Sequence, residues 1–396
     1  VIISAATATI SWNTPDGAAA SATWRSGSGL AVPKKVILAD DQMTADVAYH
    51  HALAGTALLW RGDFQNARQL LQAMARRIDH KPARTSRAKA VKAAKAPPTP
   101  LEAFHLHRLA QSQRARTLGM LLIGFDADYT IPLRRAPDVQ LACNEAWGRF
   151  EAPFVASLRE LLGVIGAHEW RRNGVPIAAL DAKIHPWYGV FSPIRGEYVQ
   201  LVMDAPLPVG ALDKAFDIGT GTGVLAAVLA RRGVRKIVAT DMDPRALGCA
   251  RENLARLDVA DRVDVVQADL FPEGRAALVA CNPPWLPGKP SAAIEAAVYD
   301  PDSRMLKAFL HGLAAHLLPG GEGWLILSDF AEHLGLRSRA QLMEWITHAG
   351  LTVVDRIDTR PVHPRASDVT DPLHAARAAE MTSLWRLAAL DTANTN

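Results

Sequence analysis

From about residue 186 onward, short apolar runs alternate with longer stretches whose apolar residues recur every three or four positions. The runs "DKAFDIG", "VRKIVATD", "RVDVVQAD", "ALVACN" and "GWLILSD" are too short for helices and read as buried strands. Between them, "VLAAVLARRG" and "PRALGCARENLARL" have helical spacing. A run of β-α-β-α units predicts an α/β fold, a parallel sheet covered by helices on both faces. A helix near 337–349, a strand "LTVVDRID" and a β-like run "MTSLWRLAAL" follow.

The first half has a different texture. Residues 1–40 are small, polar and aperiodic, and are expected to form a loosely ordered leader. Thr44 can cap a helix over "ADVAYHHALAGTALLW", which Gly62-Asp63 would break. In "FQNARQLLQAMARR", Ala67, Leu70, Leu71 and Met74 fall on one stripe. Further helices are expected near 101–119 and 152–164. The organisation predicted is a mainly helical N-terminal domain over 41–180, a linker within it at 78–100, and a second domain over 181–396.

At 396 residues, two domains are the natural expectation. Hydrophobic residues make up 49%, enough for a sizeable core. No apolar stretch approaches the roughly 20 residues a membrane helix needs. The opening "VIISAATATISW" lacks a basic head, so it is not read as a signal peptide, and the chain starts with Val rather than Met. Cys143, Cys249 and Cys281 are odd in number and far apart, which argues against a disulfide framework or a zinc site and for a reducing, cytoplasmic setting. The net charge of +4 is uneven: residues 76–95 alone carry +7, leaving the remainder at −3. That segment ends in "APPTP" and reads as a solvated tether, with a nucleic-acid arm as the alternative.

Ligands of such sheets bind at the carboxyl ends of the strands. Four signals fall there. The first is "DIGTGTG", Asp217 to Gly223, whose glycines let the backbone approach a ligand. It is not the dinucleotide fingerprint GxGxxG, because position 224 is Val. The second is Asp241, placed to accept hydrogen bonds from ribose hydroxyls, with Asp243 and Pro244 suited to start the next helix. The third is Asp269 in "VVQADLF", able to take a proton from an adenine amine or simply to shape a turn.

The fourth is "NPPW", Asn282-Pro283-Pro284-Trp285. Two prolines cannot sit inside a central strand, so a buried strand ends at Cys281 and a stiff loop follows. A planar –NH2 group next to a carbonyl or ring has a delocalised lone pair and is a poor nucleophile. Two acceptors gripping its N–H groups would pyramidalise the nitrogen and aim its lone pair at an incoming methyl. The Asn282 side-chain oxygen and the Pro283 carbonyl can be those acceptors, with proline holding the carbonyl in place. Trp285 offers a flat face for stacking.

With these residues the chain resembles the class I S-adenosylmethionine-dependent methyltransferases, and within them the HemK-type enzymes that methylate the glutamine amide of peptide release factors. "DIGTGTG" resembles their cofactor loop, "ADLF" their adenine-side loop and "NPPW" their NPPY motif, with Trp285 in place of Tyr. "VFSPIRGEYVQLV", residues 190–202, is similar to their Pro-Arg-x-x-Glu element and contains Pro193, Arg195, Glu197 and Tyr198. The resemblance implies a doubly wound, seven-stranded Rossmann-like sheet with its last strand antiparallel, and S-adenosyl-L-methionine as cofactor. It implies cofactor contacts at Asp217, Gly219, Thr220, Gly221, Thr222, Gly223, Asp241, Met242, Asp269, Leu270 and Asn282. Catalytic residues are expected at Asn282, Pro283, Pro284 and Trp285, and substrate contacts at Pro193, Arg195, Glu197 and Trp285. No metal is implied.

The expected activity is methyl transfer to a planar nitrogen of a macromolecule, first a protein glutamine amide. The alternative is an RNA or DNA base amine of adenine type, and a non-catalytic cofactor-binding protein stands third. The C-terminal segment "RPVHPRASDVTDPLHAARAAE" has no counterpart in the resemblance; His363, Arg365 and His374 are candidate substrate contacts or solvated loop residues.

Overall fold

The computed structural model describes residues 8–79, 97–150, 152–193, 196–289, 295, 297–362 and 368–390. The chain divides into two units, one of residues 1–99 with 105–169 and one of 100–104 with 170–396.

The first unit is built on a six-stranded sheet, a correction to the mainly helical domain and the loose leader expected from the pattern. Its strands are β1 (Thr9–Asn13), β2 (Ala19–Trp24), β3 (Lys35–Ala39), β4 (Thr56–Trp60), β5 (Leu121–Phe125) and β6 (Phe154–Ser157), in the order β1-β2-β6-β5-β4-β3. The Thr44 hydroxyl does accept from the Val47 N–H and starts a helix, but that helix ends at Leu53. Gly55, at φ +81°, turns the chain, and "TALLW" becomes β4 with all five residues buried. A strand covered on both faces shows no alternation, so after a helix it reads as more of the same helix. The expected helix at 152–164 is likewise β6 followed by a helix over Leu158–Asn173. The helix Phe64–Asp79 buries Ala67, Leu70, Leu71 and Met74 as its stripe required. Most of the basic segment, residues 80–96, lies outside the described residues.

The second unit opens with a small antiparallel pair, β7 (Val175–Ile177) and β8 (Ala182–Ile184). Its main sheet comprises β9 (Lys214–Ile218), β10 (Lys236–Asp241), β11 (Val263–Gln267), β12 (Ala276–Cys281), β13 (Leu317–Ser328), β14 (Leu351–Thr359) and β15 (Thr382–Ala389). The order is β11-β10-β9-β12-β13-β15-β14, with β15 antiparallel to both its neighbours and the other pairs parallel. This is the doubly wound seven-stranded sheet expected from the resemblance.

Burial explains why its central strands are uniformly apolar. Along β12, Leu278 and Ala280 join one core cluster, whereas Val279 and Cys281 join another on the opposite face. The helix Val224–Arg231 buries seven consecutive residues, Val224 to Ala230, against the first cluster. Removing a large side chain such as Phe216, fully buried in the second cluster, would cost about 3–5 kcal/mol. The scaffold under the strand ends is correspondingly rigid. No helix among the described residues is long and apolar enough to cross a membrane.

Candidate active site

Strands β11, β10, β9 and β12 lie side by side and parallel, so the four loops singled out in the sequence emerge at one edge of the sheet. In the loop after β9, Gly219, Gly221 and Gly223 adopt φ of +71°, +55° and +81°. A side chain is strained in that backbone region. Space is a second constraint. A Cβ on Gly219 would lie 2.9 Å from Met305 Cε, and one on Gly223 3.2 Å from Ala250 Cα, but one on Gly221 would meet nothing within 4 Å. The loop is packed at both ends and open in the middle.

Asp217 braces this loop from below. It is 1% exposed, and its Oδ2 accepts from the Thr220 hydroxyl at 2.7 Å and the Ala226 N–H at 3.0 Å. Burial pushes its carboxyl up to about 6, opposed by those two hydrogen bonds and helped by the nearby Asp241 charge. Thr220 and Thr222 are buried too. Asp241, at the end of β10, holds the loop from the side: its Oδ2 accepts from the Gly221 N–H at 3.0 Å and its Oδ1 from the Asp243 N–H at 2.9 Å. Each oxygen retains a lone pair. Burial raises its carboxyl from the ordinary value, against these backbone hydrogen bonds. Asp243 also caps the following helix by accepting from the Arg245 N–H, with Pro244 at the first position.

The loop after β11 completes this side. Asp269 is exposed, whereas Leu270 takes a left-handed φ of +72° and its carbonyl accepts from the Thr240 hydroxyl at 2.5 Å. Met242 is 61% exposed beside Asp241. An open backbone at Gly221 flanked by a half-buried carboxylate is a fitting cradle for a nucleoside-bearing cofactor.

At the end of β12 stands Asn282-Pro283-Pro284-Trp285. The indole N–H of Trp285 donates to Asn282 Oδ1 at 2.9 Å. On its other side Asn282 hydrogen-bonds the phenol of Tyr198, which is 2% exposed. Burial, with the Asp217 and Glu197 charges, pushes that phenol well above its ordinary value, and the bond to Asn282 opposes the rise. The Tyr198 and Trp285 rings meet edge to face, with centroids 6.4 Å apart and planes at 86°. Trp285 is itself packed against both core clusters. Side chains locked in this way hold their polar atoms in a defined place.

The remaining expected residues are distributed as follows. Pro193 is buried, and Glu197 opens the helix Glu197–Asp204, from whose first turn Tyr198 reaches Asn282. Arg195, His363 and Arg365 lie outside the described residues. His374 begins a short helix, His374–Ala379. Sequence reasoning did not assign a site role to Tyr198 or Met305. Tyr198 lies within the quoted 190–202 element, whereas nothing in the local pattern marks Met305.

A family model described as "Methyltransferase small domain" matches residues 182–344. A release factor glutamine methyltransferase from Cereibacter sphaeroides is 35% identical over 235 residues, covering 54% of this chain and 78% of that protein. One from Moorella thermoacetica is 39% identical over 154 residues, 37% of this chain and 54% of that protein. The ribosomal protein L11 methyltransferase of Pelotomaculum thermopropionicum is 49% identical over 69 residues, but the match spans only 17% of this chain and 22% of that one. The strand order, the glycine loop at the first strand end and these similarities agree. The chain belongs to the S-adenosylmethionine-dependent methyltransferases of HemK type, the family of the release factor glutamine methyltransferases.

Proposed function

We propose that this methyltransferase modifies the side-chain amide nitrogen of a glutamine in a protein. The observation that carries the reading is the Asn282 amide, oriented by Trp285 and Tyr198 at the carboxyl end of β12. Its support outside the structure is the long match to an enzyme named for a release factor glutamine.

In this reading the cofactor is held over Gly219, Gly221 and Gly223, with Asp241 accepting from its ribose and the Met242, Asp269 and Leu270 loops beside the base. S-adenosylmethionine supplies an electrophilic methyl group on a sulfonium. The residues of the chain do the positioning. Asn282 Oδ1 keeps one lone pair after accepting the indole N–H, and that pair takes one substrate N–H. The Pro283 carbonyl takes the other. Gripped at both hydrogens, the amide nitrogen loses conjugation with its carbonyl and presents its lone pair along one line. Preorganised alignment of this kind is the main source of rate in such a displacement. No general base is required, because the methylated nitrogen can release its proton to water. A cytoplasmic setting, where translation factors work, follows from the same reading.

The test is incubation of the protein with labelled cofactor and a purified release factor, followed by peptide mapping of the label. Methylglutamine at one site supports the reading, and label confined to nuclease-sensitive material overturns it. The +7 charge of residues 76–95 favours the second reading, a nucleic-acid base amine. A real nucleic-acid arm would show log K falling with log salt at a slope of about −0.7 per phosphate contact on single strands. Deleting 80–96 is expected to leave cofactor binding intact and to remove no such affinity.

A further inference from the structure

Arg337 is a buried cation whose best hydrogen-bonding edge is unused. Its side chain is 3% exposed, yet Nε and Nη2 make no hydrogen bond. These two nitrogens form the planar fork that matches a carboxylate with two parallel bonds. The nearest acids are already engaged. Asp300 accepts the Met305 N–H at 3.0 Å and the Leu306 N–H at 3.1 Å through its two oxygens. Both Glu332 oxygens accept from Arg339 Nε, at 2.8 and 3.0 Å. Asp300 and Glu332 therefore stabilise the Arg337 charge through space while leaving its fork empty. A buried, charged, unsatisfied edge is among the costliest things a fold can keep, and natural interiors rarely keep one without a use.

Its position suggests the use. Strand β13 pairs in parallel with β12, Cys281 opposite Leu325, so the segment after Ser328 leaves the sheet at the same end as the NPPW loop. Leu286, next after Trp285, packs in one cluster with Phe330, Ala331, Leu334 and Leu373, with Leu336 against it. The Leu286 carbonyl accepts from the Asp300 N–H at 2.8 Å, and the Arg337 N–H reaches the Ala331 carbonyl at 3.4 Å. A short chain of contacts thus joins the guanidinium to the residue beside the reacting centre.

We propose that the Nε–Nη2 edge of Arg337 is a binding site for a carboxylate carried by the polypeptide methyl acceptor, held beside the NPPW loop. A carboxylate suits the site better than a phosphate. It is planar and singly charged, whereas a dianion would be repelled by Asp300 and Glu332. The proposal rests on the protein reading of the acceptor, but the fork itself can be tested without any methyl acceptor.

The experiment compares the thermal melting of the full chain with that of Arg337→Met and Arg337→Lys, in tens of millimolar glutarate, inorganic phosphate or chloride at equal ionic strength. Without added anion, Arg337→Met is expected to melt about 2–4 °C above wild type, since it removes an uncompensated buried charge. Glutarate is expected to raise the wild-type midpoint and to leave both variants unmoved, because Lys keeps the charge but not the fork. With a methylated protein acceptor, KM should rise about tenfold in Arg337→Met while cofactor affinity holds. An Arg337→Met protein that melts lower, with no glutarate effect on wild type, overturns the proposal and makes the guanidinium a structural brace. A larger shift with phosphate than with glutarate also overturns it, in favour of a nucleic-acid acceptor. A glutarate shift lost in both variants supports the fork even if no protein proves to be methylated, and then only the acceptor reading fails.

Discussion

The indole N–H of Trp285 donates to Asn282 Oδ1 across 2.9 Å. Indole nitrogen is a donor only, so this contact identifies which end of the Asn282 amide is oxygen and turns the amide the way the chemistry needs. A reversed amide would point N–H groups at the N–H groups of the substrate.

Replacing Asn282 with Ala is therefore expected to separate binding from chemistry. Losing one preorganised contact to the reacting group typically costs about 10²–10³ in turnover. Cofactor affinity, measured by calorimetry, should move little. Wild-type turnover in the variant would reduce NPPW to a loop.

Trp285 has two tasks, a face and a hydrogen bond, and substitutions can divide them. Trp285→Phe keeps the face and drops the N–H. A neutral hydrogen bond contributes about 1 kcal/mol, so turnover should fall about fivefold. Trp285→Tyr should also stay within about tenfold of wild type, whereas Trp285→Ala should lose at least a hundredfold. Single-turnover rates with saturating cofactor check this series, and equal rates for Phe and Ala would show that stacking is irrelevant.

Asp241→Ala should weaken S-adenosylmethionine binding on the order of 100-fold, since charge-assisted hydrogen bonds contribute about 1.5–3 kcal/mol each. It also frees the Gly221 N–H that Asp241 Oδ2 now holds. Part of the loss should therefore appear as faster amide exchange across 219–223 in the free protein. Calorimetry and hydrogen exchange together distinguish the two contributions.

Asp217 makes stability depend on pH in an unusual direction. Its carboxyl is raised to about 6 in the fold by burial, against an ordinary value of 3.8. Between those limits the folded protein binds more protons than the unfolded chain, so stability falls as pH rises from 4 to 6. The change is about 2–3 kcal/mol at most, and Asp241, raised in the same direction, adds to it. Thr220 and Ala226 both donate to the same oxygen, so Asp217→Asn can keep both bonds. Denaturant midpoints should rise above pH 6 in that variant and their slope across pH 4.5–6 should flatten. An unchanged slope would refute the assignment.

The second unit was legible because its physics is periodic. Strands buried on both faces read as apolar runs, and chemistry collects where those runs stop, at Asp217, Asp241 and Asn282. The first unit was misread at "TALLW", where one glycine separates a helix from a strand of equal hydrophobicity. Strands β1 and β2, rich in Ser, Thr and Ala, carried too little apolar contrast to stand out from a leader. Tertiary partners were invisible for another reason. No local rule connects Tyr198 to Asn282, and Arg337 in "GLRSRA" reads as an ordinary solvated residue ahead of the Ser338 cap, not a buried one.

The burial of Cys143, Cys249 and Cys281 has a practical consequence. Burial pushes the Cys143 thiol up to about 12 and the Cys249 thiol to about 11, and raises Cys281 further still. Thiolate is the reactive form, so at neutral pH the chain offers maleimide and iodoacetamide almost nothing to attack. Met242, exposed at the rim of the glycine loop, could then be exchanged for the single reactive cysteine of the molecule. A fluorophore attached there would follow arrival of the nucleoside in real time against a silent background.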